Sequence, residues 1–241
     1  MGPPFLALYG LMTNNQTLLQ MAFDQCRLYR DALRIPSGDA QGLLRHIVNA
    51  TGTEGNDPGA WLTGLGWASA GMLRVLATIT QSSFNTQMAD QTANLVSWVE
   101  EILDGAYKFA NPLMRNYVND SDAFYDIAGS SLVAYSTYRL ASIAPDSGAT
   151  AHVAGAEAIY NTVKSQLSPF GFFTPPLQVV DALSFTSPGD TSPESLAFVV
   201  LLEAARRDHD QKNVTSLRGP SSASTSSKDV ASVVSLLVSL L

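Results

Sequence analysis

The sequence predicts an all-α fold, a barrel of helical hairpins, and three observations carry that prediction. Apolar residues recur at three- and four-residue spacing through 18–33, 61–79, 95–109, 123–143 and 154–167, whereas strand-like alternation is scarce. Four segments that begin with small or helix-initiating residues and turn apolar start at residues 3, 66, 129 and 192, a beat of 63. Each is followed by a more polar, amphipathic stretch. Small residues let the apolar helices pack closely as an inner layer, which the amphipathic helices cover on the side of water. Closed into a ring, such hairpins make an (α/α) barrel of about six, of which this chain holds about four.

Taken in order, the first unit opens on Pro3-Pro4-Phe5-Leu6-Ala7-Leu8-Tyr9, and Asn15-Gln16 reads as the capped start of its amphipathic helix. The second is Gly66-Trp67-Ala68-Ser69-Ala70-Gly71-Met72, followed by the helix over 95–109. Ser121-Asp122 reads as the start of the third, which contains Gly129-Ser130-Ser131-Leu132-Val133-Ala134-Tyr135. Ser192-Pro193-Glu194 opens the fourth as N-cap, proline at the first helical position and an acidic first turn. An open arc of these units exposes apolar faces at its ends, Phe5–Tyr9 among them. The barrel domain spans 1–215, a Ser/Thr/Gly/Pro-rich linker 216–228 and an apolar tail helix 229–241.

Composition narrows the function. The 241 residues carry 14 Lys+Arg against 21 Asp+Glu, a net charge of -7, which argues against a nucleic-acid surface. A single cysteine, Cys26, excludes an internal disulfide and a cysteine zinc site, and His46, His152 and His209 are too scattered for a multi-histidine metal centre. The apolar tail is shorter than the ~20 residues that span a bilayer. Small residues, a spacer and that tail also match the pattern of a GPI-attachment signal, the one membrane route the sequence offers. Four sequons, at Asn15, Asn49, Asn119 and Asn213, point outside the cell, although no signal peptide is readable after Met1.

The residues with chemical promise cluster before the second inner helix. Trp61-Leu62-Thr63-Gly64-Leu65-Gly66-Trp67 brackets two glycines between two tryptophans, and indole faces are a common platform for sugar C–H groups. The competing reading is a pair of core tryptophans at a close helix contact. His46 falls in the preceding loop, where a lone histidine serves structure as readily as chemistry. Asp120, Asp122 and Asp126 lack the glycine and terminal Glu of a calcium loop and read as capping and solvated acids. No Walker loop, nucleophile elbow or HExxH motif occurs.

Pro3-Pro4-Phe5-Leu6-Ala7, Leu44-Arg45-His46, Trp61-x-Thr63-Gly64-x-Gly66-Trp67-Ala68, Gly71-Met72-Leu73-Arg74-Val75-Leu76-Ala77 and Thr191-Ser192-Pro193-Glu194 resemble, in order, glycoside hydrolase family 105. These are the unsaturated rhamnogalacturonyl hydrolases, here of a fungal type. The resemblance implies a six-hairpin (α/α) barrel that removes 4,5-unsaturated uronic acid from pectin-derived oligosaccharides. By that chemistry an aspartic acid protonates the sugar double bond, water adds to the neighbouring carbon, and the hemiketal opens; no metal or organic cofactor is implied. It further implies that His46, Trp61, Thr63 and Trp67 bind substrate. The family motif Asp-x-x-x-Met-x-x-Pro-Phe-Leu matches from Met1 onward, so the resemblance places the catalytic Asp upstream of this sequence, an N-terminally truncated form. Leu65 stands where the family carries Asn. The alternative function is a catalytically dead carbohydrate-binding or interaction remnant that lacks the acid/base Asp.

Overall fold

Capping chemistry sets the helix ends in the computed structural model, which describes residues 2–49, 51, 55–167, 179–181, 184–189 and 192–217. The helices are α1 (Gly2–Met12), α2 (Gln16–Leu33), α3 (Leu62–Gln81), α4 (Ala89–Tyr107), α5 (Ile127–Ile143), α6 (Val153–Ser165, entered through a 3-10 turn) and α7 (Pro193–Leu217). The Asn15 carboxamide oxygen accepts from the Thr17 and Leu18 N–H groups at the head of α2. Ser192 Oγ accepts from the Ser195 N–H at 3.1 Å, as its N-cap position requires.

Two boundaries differ from expectation. Ser121-Asp122 does not open a helix: the Asp122 N–H donates to Asp120 Oδ1 in a tight turn. Asp126 is the true cap, extended at φ -103° and accepting from the Gly129 N–H, so α5 begins at Ile127. α4 begins at Ala89, one polar turn and more before its apolar stripe becomes regular. Strands are also present: β1 (Val179–Asp181) and β2 (Ser184–Gly189) form an antiparallel pair between α6 and α7, pairing Val179 with Gly189 and Val180 with Pro188. β1 holds only three residues and β2 ends on Pro188-Gly189, a turn-like pair, so neither offers a clean run of alternation.

The layers follow the repeat. α1, α3, α5 and α7 pack side by side as the inner wall, each holding one of the four apolar segments, while α2, α4 and α6 lie outside against α1, α3 and α5. The described residues thus hold three hairpins and the helix that opens a fourth, part of an (α/α) barrel. Glycine lets the inner helices close up: a Cβ on Gly66 would stand 2.9 Å from Leu132 Cβ, and one on Gly129 2.5 Å from Leu62 Cγ. The Ser69 and Ser136 hydroxyls meet at 2.9 Å across the same α3–α5 seam. α5 is the centre of the molecule, buried without interruption from Ile127 to Ala141. α3 has the length and composition of a membrane-crossing helix but is mostly buried in this core.

Ion pairs tie the outer layer down. Glu101 on α4 takes Arg30 of α2 and Arg34, the residue that caps its end, the latter at 2.6 Å. Glu157 on α6 accepts from Tyr138 of α5 at 2.6 Å and from Arg206 of α7 at 2.7 Å. At the first edge Phe5 and Tyr9 are 67% and 51% exposed, as an open arc expects. α7 continues to Leu217, two residues into the segment read as a linker; the rest of that linker and the tail, 218–241, lie outside the described residues.

Candidate functional site

Short turns at 13–15 and 82–88 join the hairpins at one end of the arc, whereas the long connections 34–61 and 108–126 feed α3 and α5 at the other. These two connections are stitched together. The Leu62 N–H donates to Asn116 O at 2.7 Å, the Val118 N–H to Ala60 O at 3.0 Å, and the His46 N–H to Gly59 O at 2.8 Å. Gly59 is required at this crossing, because a Cβ there would sit 2.5 Å from the Tyr117 ring. These bonds hold the described parts of the two connections together as a platform.

On it stands a linked group of side chains. His46 Nδ1 lies 2.9 Å from Asp57 Oδ2, the same oxygen that the Tyr117 hydroxyl meets, while the Gly59 N–H donates to Asp57 Oδ1 at 3.0 Å. Burial pushes the Asp57 carboxyl up, but the hydrogen bonds from Tyr117, His46 and Gly59 outweigh it and hold the group below the usual carboxylate range. An ionised Asp57 fixes a proton on His46 Nδ1 and so sets the tautomer. Burial, and then the bond to Asp57, push the Tyr117 hydroxyl above its ordinary value. The His46 ring also leans on Trp61, centroid to centroid 4.5 Å, and Trp61 Nε1–H donates to Asn116 Oδ1 at 2.9 Å.

This group borders a cleft of about 490 Å³ whose wall includes Pro3, Arg45, His46, Trp61, Gly64 and Trp67. Trp67 is 42% exposed and meets Phe198 of α7 in a T-shaped contact at 5.0 Å. Three of the four expected binding residues, His46, Trp61 and Trp67, therefore share one cavity. Thr63 does not. It is buried behind the wall, where its hydroxyl donates to Asp126 Oδ2 at 2.7 Å. Burial pushes the Asp126 carboxyl up, against the bonds from Gly129, Thr63 and Ala128. Both residues serve the α3–α5 seam. Leu65 touches the cleft but is itself buried.

Sequence reasoning missed Arg45, Asp57, Asn116 and Tyr117. Asp57-Pro58-Gly59 carried a turn signal, but nothing local marked Tyr117 as the partner of a residue 60 positions away. His152 and His209 lie elsewhere, the first against Asp104 and the second beside the Tyr138 ring. Among the described residues no group of three or more His, Cys, Asp or Glu converges as a metal site would require.

No protein-family model and no curated protein matches the chain. Solved structures do. A Salmonella enterica serovar Paratyphi A protein described as a possible member of the GH105 family superposes with a TM-score of 0.67 at 17% identity, over 86% of this chain and 55% of its own. A Klebsiella pneumoniae protein described in the same words gives 0.66 at 18% identity, over 84% and 53%. The unsaturated glucuronyl hydrolase of Bacillus sp. GL1, responsible for the degradation of glycosaminoglycan, gives 0.62 at 13% identity, over 86% and 57%. The chain thus spans little more than half the length of each. At these identities the likeness establishes the fold, and function rests on the site.

Proposed function

We propose that the chain is a glycoside hydrolase whose cleft holds the unsaturated uronyl end of a pectin-derived oligosaccharide. The observation that carries this reading is the convergence of Trp61, Trp67 and His46 on one cavity at the loop end of an (α/α) barrel. Two indoles supply an apolar platform for a sugar ring, and the fixed imidazole supplies a polar group to orient it. The resemblance of the sequence and the fold of the neighbours both favour unsaturated uronides as substrate, with hydration of the double bond as the chemistry. Incubation with lyase-treated rhamnogalacturonan should remove the ultraviolet absorbance of the conjugated double bond. Trp67→Ala should abolish that activity while the helical circular dichroism persists.

One observation favours a second reading, a sugar-binding protein without catalysis. Proton delivery needs an acid poised near the working pH. Among the described residues no Asp or Glu lines the cleft, and the nearest carboxyl of the cluster, Asp57, is held low and ionised. Calorimetry separates the two: binding of the unsaturated disaccharide without loss of absorbance supports the second reading, and no binding at all refutes both.

A further inference from the structure

We infer that Arg45 is the residue that reads the charge of the ligand: the cleft takes an anionic sugar and holds its carboxylate on the Arg45 guanidinium, beside the Trp61–Trp67 platform. The inference rests on the sugar-binding reading above and adds to it a specificity-determining residue.

The chain is acidic overall, at -7, yet among the described residues lining the cleft Arg45 is the single Lys, Arg, Asp or Glu. Six described arginines pair with carboxylates, Arg27 and Arg207 among them, while Arg115 is taken by the Ala123 carbonyl and the Tyr125 ring and Arg74, outside the cleft lining, has no described carboxylate partner. Arg30 and Arg34 meet Glu101, Arg139 meets Asp208, and Arg206 meets Glu157. No described carboxylate pairs with Arg45, which is half-buried in the wall. Its backbone is not loose. The Arg45 N–H donates to Leu33 O at 2.9 Å, next to the bridge between Arg34 and Leu44, so the side chain leaves the wall from a fixed point.

A guanidinium held in a partly desolvated wall without a counter-charge favours an anion that fits its fork, and a carboxylate does so through two parallel hydrogen bonds. The local backbone has the same sign. Trp61 caps α3 without a side-chain acceptor and no acid lies in its first turn, while Gly64 of that turn lines the cleft. The acid beside His46, the neighbour of Arg45, is Asp57, and it is engaged by His46, Tyr117 and the Gly59 N–H. A sugar stacked on the indoles with its carboxylate on Arg45 satisfies both halves of the cavity.

The test compares an acid with its neutral form. Calorimetry would measure the 4,5-unsaturated galacturonyl-rhamnose disaccharide and its methyl ester against the wild-type chain, Arg45→Gln and Arg45→Lys. The wild type should bind the acid about tenfold more tightly than the ester, the effect of one charge-assisted contact. Arg45→Gln should bind both as the wild type binds the ester, and Arg45→Lys should keep part of the preference. A preference that survives in Arg45→Gln overturns the inference, as does an equal loss for acid and ester. An independent arm follows the Arg45 Nε–H resonance during titration with acetate. If acetate moves that resonance but neither disaccharide binds, the anion site stands and the sugar reading fails; if neither has any effect, both fail. Unchanged thermal unfolding of Arg45→Gln guards against a folding defect.

Discussion

Thr63→Val separates a role in the core from a role in the cleft. Valine keeps the shape of threonine and deletes the hydroxyl, so packing at the α3–α5 seam is preserved while the 2.7 Å bond to Asp126 is lost. Asp126 still caps α5 through the Gly129 N–H, so the loss is one buried hydrogen bond to a carboxyl, about 1–3 kcal/mol. That is a visible fraction of the ~5–15 kcal/mol that holds a domain together. The pH dependence has a definite sign. Burial raises the folded pKa of Asp126 above its unfolded value, so its contribution is fully present below about pH 4 and is lost as pH rises through the folded pKa. The Thr63 bond opposes that rise by favouring the ionised form. Removing it should therefore cost more at neutral pH than at acid pH. Urea denaturation followed by tryptophan fluorescence should show a lower midpoint at unchanged slope, while the affinity for the unsaturated disaccharide stays within about twofold. Unchanged stability with a tenfold loss of affinity would return Thr63 to the cleft and refute its placement in the core.

Three further outcomes are expected. Gly129→Ala should destabilise by about 1–3 kcal/mol, read as a lower urea midpoint, because its Cβ would fall 2.5 Å from Leu62 Cγ and 2.6 Å from Asp126 Oδ2. Tyr117→Phe removes one of the bonds that depress Asp57; the wild type gains stability above about pH 4 from that depression and loses it as pH falls through the folded pKa, so the variant's melting temperature should vary less on the acid side. Burial pushes the Cys26 thiol up to about 12, so a disulfide reagent should label it slowly in the native chain and rapidly in urea; fast native labelling would show that the cleft wall opens.

The layer order was legible because it depends on local pattern. Inner helices must be apolar and small on most sides, outer ones on a single stripe, and the 63-residue beat repeats that difference four times. The seam itself obeys the beat: Thr63 and Asp126, one repeat apart, meet at the heads of successive inner helices. The same fact explains why Thr63 stands behind the wall while Trp61 and Trp67 line the cleft. A residue at the mouth of an inner helix faces either the cleft or the next helix, and a few tens of degrees about the helix axis decide which. The start of α5 was misplaced because Ser121-Asp122 and Asp126 offer equivalent caps, and only the buried partners Thr63 and Gly129 select the second. The platform was illegible for a different reason. His46 and Asp57 come from one connection and Tyr117 from the other, and the bridges that bring them together leave no periodic trace.

The polarity of the cleft follows from how the four inner helices end. All four lie side by side with their N-termini toward the long connections, so each presents its positive end there. Two of those ends are answered by acids of the chain itself: Asp126 caps α5, and α7 carries Glu194 in its first turn. α1 and α3 carry no acid in the first turn, and the cleft lies between them, bounded by Pro3 and Pro4 of the one and Gly64 of the other. Arg45 adds a full charge of the same sign at that point. Among the described residues lining the cleft there is thus no acid to answer the head of α3 and the Arg45 guanidinium, and on the proposed reading an anionic ligand balances them. On that reading the tryptophans narrow the choice of anion: a bare inorganic ion would leave both indoles uncovered, whereas a uronate would cover them with its ring.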